Sequence, residues 1–109
     1  MFKVFAPFIA ISTLSANEAS LLFNGNCTMC HHETKALSAP SIQDVQKIYK
    51  QKFKKKDEFV AYMSKWVHSP NEKDALMKDA VKKYGLMPEL GFDKEMLRDI
   101  STYIYDTRF

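Results

Sequence analysis

The sequence of 109 residues predicts one small all-α domain, a bundle of about four to five helices. Three observations carry that expectation. Past residue 16, apolar residues recur at three- and four-residue spacing, the repeat of a single helix face. No segment alternates apolar and polar residues as a half-buried strand does. The periodic segments are also punctuated by residues that start or stop helices. Ser41, Asp57, Ser69-Pro70 and Asp93 stand at starts, and Gly85 stands at an end. There is no internal repeat and no low-complexity tract.

The chain up to Ala16 reads as a leader rather than as part of the bundle. Lys3 precedes an apolar run from Val4 to Leu14, and small residues follow at Ser15, Ala16 and Ala19. That is the layout of a secretory signal peptide, with cleavage expected near Ser15 or Ala16. The run falls short of the roughly 20 residues a membrane-spanning helix needs, and Pro7 interrupts it. The competing reading is a buried N-terminal helix. Residues 17–109 would then form the mature domain, in which a small core benefits from an additional staple.

Ala19, Leu22, Phe23, Cys27 and Cys30 define the apolar face of a first helix, which would carry both cysteines. A loop from His32 to Pro40 follows. Ser41 is placed to cap a second helix with a stripe of Val45, Ile48, Tyr49 and Phe53. Asp57 is placed to cap a third, with Phe59, Val60, Met63 and Val67 facing inward. Ser69-Pro70-Asn71-Glu72 combines an N-cap serine, a first-turn proline and a capping-box glutamate, which predicts a fourth helix from Ser69 with Met77, Ala80, Val81 and Tyr84 on one face. Gly85 would close it. Leu86 to Gly91, interrupted by Pro88, is a loop. Asp93 caps the last helix, with Phe92 stapled over Leu97 and a stripe of Leu97, Ile100 and Ile104 beside Tyr103.

The formal charge of +3 says little about partners. Lys47, Lys50, Lys52, Lys54, Lys55 and Lys56 nevertheless cluster. Such a run is ordinarily a solvated face; its functional reading is a docking patch for an acidic partner or an anionic surface. No nucleic-acid recognition motif surrounds it.

The chemistry lies in Cys27-Thr28-Met29-Cys30-His31, which contains the only two cysteines of the chain. A disulfide between them would close too small a loop to stabilise much. A redox dithiol is expected in a βαβ setting, and a zinc site needs a second pair of ligands; His31, His32 and His68 supply no convincing pair. C-x-x-C-H reads as the attachment site of a c-type haem, with two thioether bonds and the imidazole of His31 on the iron. The other axial position could be filled by a methionine. Met29 lies inside the motif, and Met63, Met77 and Met96 sit in helical stripes as core residues do. Met87 lies in a loop stiffened by Pro88, which could carry its sulfur over the haem. His68 offers a bis-His alternative, although it reads better as a surface residue at a helix end, and His32 as a solvent-facing one.

With these residues the chain resembles the class I c-type cytochromes along its whole mature region. The resemblance rests on C-x-x-C-H near the N-terminus, on the loop Tyr84-Gly85-Leu86-Met87-Pro88, and on a C-terminal helix containing Tyr103. It implies a cytochrome c-like bundle around one haem with Met87 as the distal ligand. It also implies that Phe23 packs against the terminal helix. Ala19 stands where the family usually has glycine. The stretch Ala39-Pro40-Ser41 resembles the family's segment whose carbonyl accepts the proximal histidine Nδ1–H, making Pro40 the candidate. Trp66 resembles an aromatic that donates to a haem propionate, with core packing as its alternative.

The function expected from this is one-electron transport by a monomeric periplasmic carrier that is not an enzyme and meets redox proteins. The lysine region is a candidate acidic-partner dock. Two rivals stay open: a haem ligand sensor or small enzyme with an open sixth position, and a haem subunit of an oxidase or dehydrogenase complex.

Overall fold

The computed structural model describes residues 16–109, so the expected leader, residues 1–16, lies outside the described residues except for Ala16, which is the first residue of a helix. Those residues form five α-helices and no strand: α1 (Ala16–Asn26), α2 (Ile42–Lys52), α3 (Lys56–His68), α4 (Lys78–Tyr84) and α5 (Lys94–Asp106). Among them, no helix is long and apolar enough to cross a membrane.

Helix α5 organises the bundle. Leu97, Ile100, Ser101 and Ile104 are buried at the spacing of one helical stripe. That stripe meets α3, α1 and α2. The core draws Phe23 from α1, Ile42 and Tyr49 from α2, Phe59, Val60 and Met63 from α3, and Ile100 and Ile104 from α5. Phe23 is fully buried between Tyr103 and Phe109, with ring centroids 5.3 and 5.8 Å away. Ala19, one turn earlier, is also buried, and its methyl group is small enough for α1 to lie close. Helix α4 buries no residue.

Two caps sit where the sequence puts them. Ser41 Oγ accepts the Asp44 amide at 3.1 Å and starts α2. Asp93 accepts the Glu95 amide at 3.4 Å and starts α5. Three expectations need correction. Helix α1 ends at Asn26, so the cysteines follow the helix in a turn instead of lying on its face. Lys55, with no side-chain cap bond, precedes α3, and Asp57 lies within its first turn with Oδ1 accepting the next amide, Glu58 N–H, at 2.9 Å.

The third correction is the largest: Ser69 does not start a helix. It ends α3, and α4 begins only at Lys78. The intervening groups are used otherwise. Asn71 Oδ1 accepts the Asp74 amide at 2.8 Å, and the Asn71 carbonyl accepts Trp66 Nε1–H at 2.9 Å. Lys78 Nζ donates to the carbonyls of Glu72 and Lys73 at 2.9 and 2.8 Å. An asparagine that bonds its own nearby backbone competes with helix formation at that position.

Candidate haem-binding site

The site begins where α1 stops. Asn24, Asn26 and Thr28 donate from their side chains to the carbonyls of Ser20, Leu22 and Asn24, at 2.9, 2.8 and 2.7 Å. Such back-bonding partners the carbonyls of a helix terminus. Gly25 and the two asparagines are poor helix formers, and the chain tightens into a turn there. In that turn the Cys30 and His31 amides both donate to the Cys27 carbonyl, at 3.3 and 2.9 Å.

Neither cysteine is in a disulfide; Cys27 is half-buried against the core, and Cys30 is exposed. Burial pushes the Cys27 thiol up to about 11. Redox and metal-binding cysteines have the opposite tuning, toward thiolate. The surroundings of Cys27 suit a neutral sulfur, as in a thioether. No three His, Cys, Asp or Glu side chains converge to hold a metal ion among the described residues. The zinc-site reading therefore lacks its ligands.

His31 is half-buried, with Nδ1 at 2.8 Å from the carbonyl oxygen of Pro40. A carbonyl only accepts, so Nδ1 carries the proton, and in the neutral ring Nε2 keeps the lone pair that can bind a metal. The pairing crosses nine residues because the loop between is tied at several points. His32 Nδ1 accepts the amides of Thr34 and Lys35, both at 3.0 Å, and Ser38 Oγ donates to the Cys30 carbonyl at 3.4 Å. The Ile42 and Gln43 amides donate to the carbonyls of His32 and Glu33 at 3.0 and 2.9 Å, docking the start of α2 beside the motif. The part His32 plays in bracing this loop has no signature in the spacing of the sequence.

Met87 is half-buried in the 85–93 segment between α4 and α5. Gly85 and Gly91 bracket it with φ of 91° and 71°, a region open to glycine at little cost. Met63 is buried in the core, Met96 packs against it, and Met77 is half-buried at the start of α4. Met29 is 85% exposed. The single N–H of Trp66 is already taken by the Asn71 carbonyl, and His68 sits at the end of α3 with Nδ1 at 3.3 Å from Ser69 Oγ. Leu37, in the loop after the motif, and Leu86 and Leu90, flanking Met87, are exposed. Apolar side chains in these two loops suit a large apolar ring. The donor set and the neutral setting of Cys27 fit a haem.

A five-helix bundle with C-x-x-C-H closing its first helix, and a proton-fixed imidazole next in line, defines a small domain built to carry haem. The Cytochrome c family model matches residues 16–108, and the chain belongs to that family as a class I c-type cytochrome. Haem binding and electron transfer are the properties of that family. No curated protein and no solved structure matches the sequence.

Proposed function

We propose that this protein is a one-electron carrier working in the periplasm, with a single haem c bonded to Cys27 and Cys30 and held at iron by His31 and Met87. The haem supplies the one-electron Fe(III)/Fe(II) couple. The observation that best supports the reading is the 2.8 Å pairing of His31 Nδ1 with the Pro40 carbonyl, immediately after the two cysteines. This bond fixes the tautomer and the ring orientation, and it makes Nε2 a better donor.

Cys27 and Cys30 fix position, and the burial of Cys27 favours an uncharged bonded sulfur. The thioether of Met87 is a soft ligand that favours the reduced state and raises the potential. Leu37, Leu86 and Leu90 would exclude water from the ligand side of the two loops. Two permanent protein ligands leave no position for a substrate, in keeping with a carrier. Its meetings with redox proteins would be small and short-lived. The leader-like residues before Ala16, together with haem attachment through thioethers, support a location outside the cytoplasm.

The test is Met87→Ala in the mature, haem-loaded protein. The expected result is loss of the weak far-red band of the ferric protein, a lower midpoint potential, and new carbon monoxide binding in the ferrous state. An unchanged spectrum, or ready carbon monoxide binding by the unaltered protein, would overturn ligation by Met87 and favour a ligand sensor. Intact mass of the secreted protein checks the attachment of one haem and cleavage near Ser15 or Ala16.

A further inference from the structure

Asn24-Gly25 stands in the last turn of α1, just before Cys27. Of the asparagines in the chain, Asn17, Asn24, Asn26 and Asn71, only Asn24 precedes a glycine. The fold does not need glycine at this position. Among the described residues, only Gly85 and Gly91 have the positive φ that favours glycine. A Cβ on residue 25 would meet no heavy atom within 4 Å. Glycine inside a helix also weakens it relative to alanine. What Gly25 does supply is an unhindered amide nitrogen next to a carboxamide.

The helix holds the pair apart from both sides. Phe23 is fully buried, and Cys27 is half-buried against the core with its amide donating to the Phe23 carbonyl at 2.8 Å. Asn24 and Gly25, between them, are exposed. Asn24 Nδ2 donates to the Ser20 carbonyl at 2.9 Å and to the Ser20 hydroxyl at 3.2 Å. Those bonds draw the carboxamide back along the helix, away from the Gly25 nitrogen. The protection lasts only while the turn is wound. Helix ends fray, and this one is weakened by Gly25 and two asparagines. Beyond Phe23, the residue that ties the turn to the core is Cys27.

We propose that Asn24 is a site of spontaneous deamidation, open in the chain that carries no haem and closed once Cys27 and Cys30 are bonded to one. The site rests on the residues themselves; its closure rests on the haem attachment proposed above. When the turn opens, the Gly25 amide nitrogen reaches the Asn24 side-chain carbonyl carbon. A C–N bond forms between them, the carboxamide C–N bond breaks, and ammonia leaves with the proton of the Gly25 amide. Water then opens the cyclic imide, its hydroxyl going to a carbonyl carbon and its proton to the nitrogen. Opening at the side-chain carbonyl gives aspartate; opening at the main-chain carbonyl gives isoaspartate. Attachment at Cys27 keeps the turn wound, so the modification accumulates in chains that wait without haem. The product loosens the turn further. A carboxylate cannot donate to the Ser20 carbonyl, and its charge falls at the negative end of a helix with no basic residue in its last turn.

The test compares the secreted protein with haem and the same chain made in cells that lack haem attachment, incubated in one buffer. Conversion at each asparagine is read by peptide mass and by isoaspartyl methyltransferase labelling. In the haem-free chain Asn24 should convert ahead of Asn26 and Asn71. In the haem-loaded protein it should convert more slowly, on the order of tenfold, because the turn opens less often. Haem-loaded Met87→Ala should be protected like the parent, since attachment at Cys27 holds the turn. In urea, with helical protection gone, Gly25→Ala in the haem-free chain should still slow conversion on the order of tenfold by crowding the attacking nitrogen. Conversion of Asn24 no faster than that of the other asparagines, or unchanged by Gly25→Ala in urea, would overturn the site. Equal rates with and without haem, or rapid conversion in haem-loaded Met87→Ala, would overturn its closure by attachment. If intact mass shows no haem on the secreted parent, the attachment reading fails separately, and the urea comparison still decides the site.

Discussion

Tyr49 shows how a single side chain couples the core to pH. It is buried on α2, with the rings of Phe59, Phe53 and Tyr62 at 5.6, 6.2 and 6.2 Å. Burial raises its phenol well above the ordinary value of 10.0, and a negative charge on Tyr62 would raise it further. The folded state therefore favours the neutral ring. The resulting stability is complete below pH 10 and is lost as pH climbs toward the raised value, because the unfolded chain ionises first. Tyr49→Phe should change stability by no more than about 1 kcal/mol at neutral pH and flatten the decline above pH 10. Denaturant unfolding of the haem-loaded protein across that range checks it. Parallel declines in parent and variant would show that Tyr49 does not set the alkaline limb. Legibility also differs residue by residue. Cys27, Cys30 and His31 could be singled out from the sequence because their chemistry demands fixed types at fixed spacing. Pro40 could be named only through a family resemblance, since the loop that returns it to His31 is closed by bonds such as those of His32 and Ser38.

At the scale of elements, α1, α2, α3 and α5 were legible from apolar stripes that the core takes up, α4 less so because its expected stripe is not buried, and the helix ends least of all. Ser41 and Asp93 cap as expected because each precedes a stripe that is drawn into the core. Ser69-Pro70-Asn71-Glu72 carries equally good local signals, yet the following helix buries nothing to reward an early start. Trp66 and Lys78 instead take up the carbonyls of Asn71, Glu72 and Lys73. Those partners are set by tertiary placement, which capping patterns do not encode. The joint between α2 and α5 was likewise invisible. Gln46 Nε2 donates to the carbonyls of Ile104 and Thr107 at 2.7 and 2.6 Å, partnering two acceptors at the end of α5. Gln46→Ala should cost about 1–2 kcal/mol by leaving those carbonyls without this donor. The same change should speed amide exchange in the last turn of α5. A loss of stability without that local effect would mean that Gln46 acts through packing.

The whole molecule divides into a part that holds itself and a part that protein packing alone holds poorly. The core joins α1, α2, α3 and α5, and Cys27 packs against its edge. Helix α4 buries no residue, and Leu86 and Leu90 in the next loop are exposed. A domain of this size has little stability to spare, and local opening concentrates where buried apolar contact is least. The proposed haem would bridge the two parts, bonded beside α1 and gripped by Met87 beyond α4. Cys27→Ala/Cys30→Ala removes attachment while trimming one half-buried and one exposed side chain. In that variant, α3 and α5 should retain helical circular dichroism and residual amide protection. Residues 78–93 should exchange nearly as fast as an unfolded chain. In the haem-loaded parent the same residues should be protected, and Met87→Ala should release them without unfolding α5. Equal protection of residues 78–93 in all three proteins would show that this segment is held by the polypeptide itself, and the bridging role would have to be abandoned.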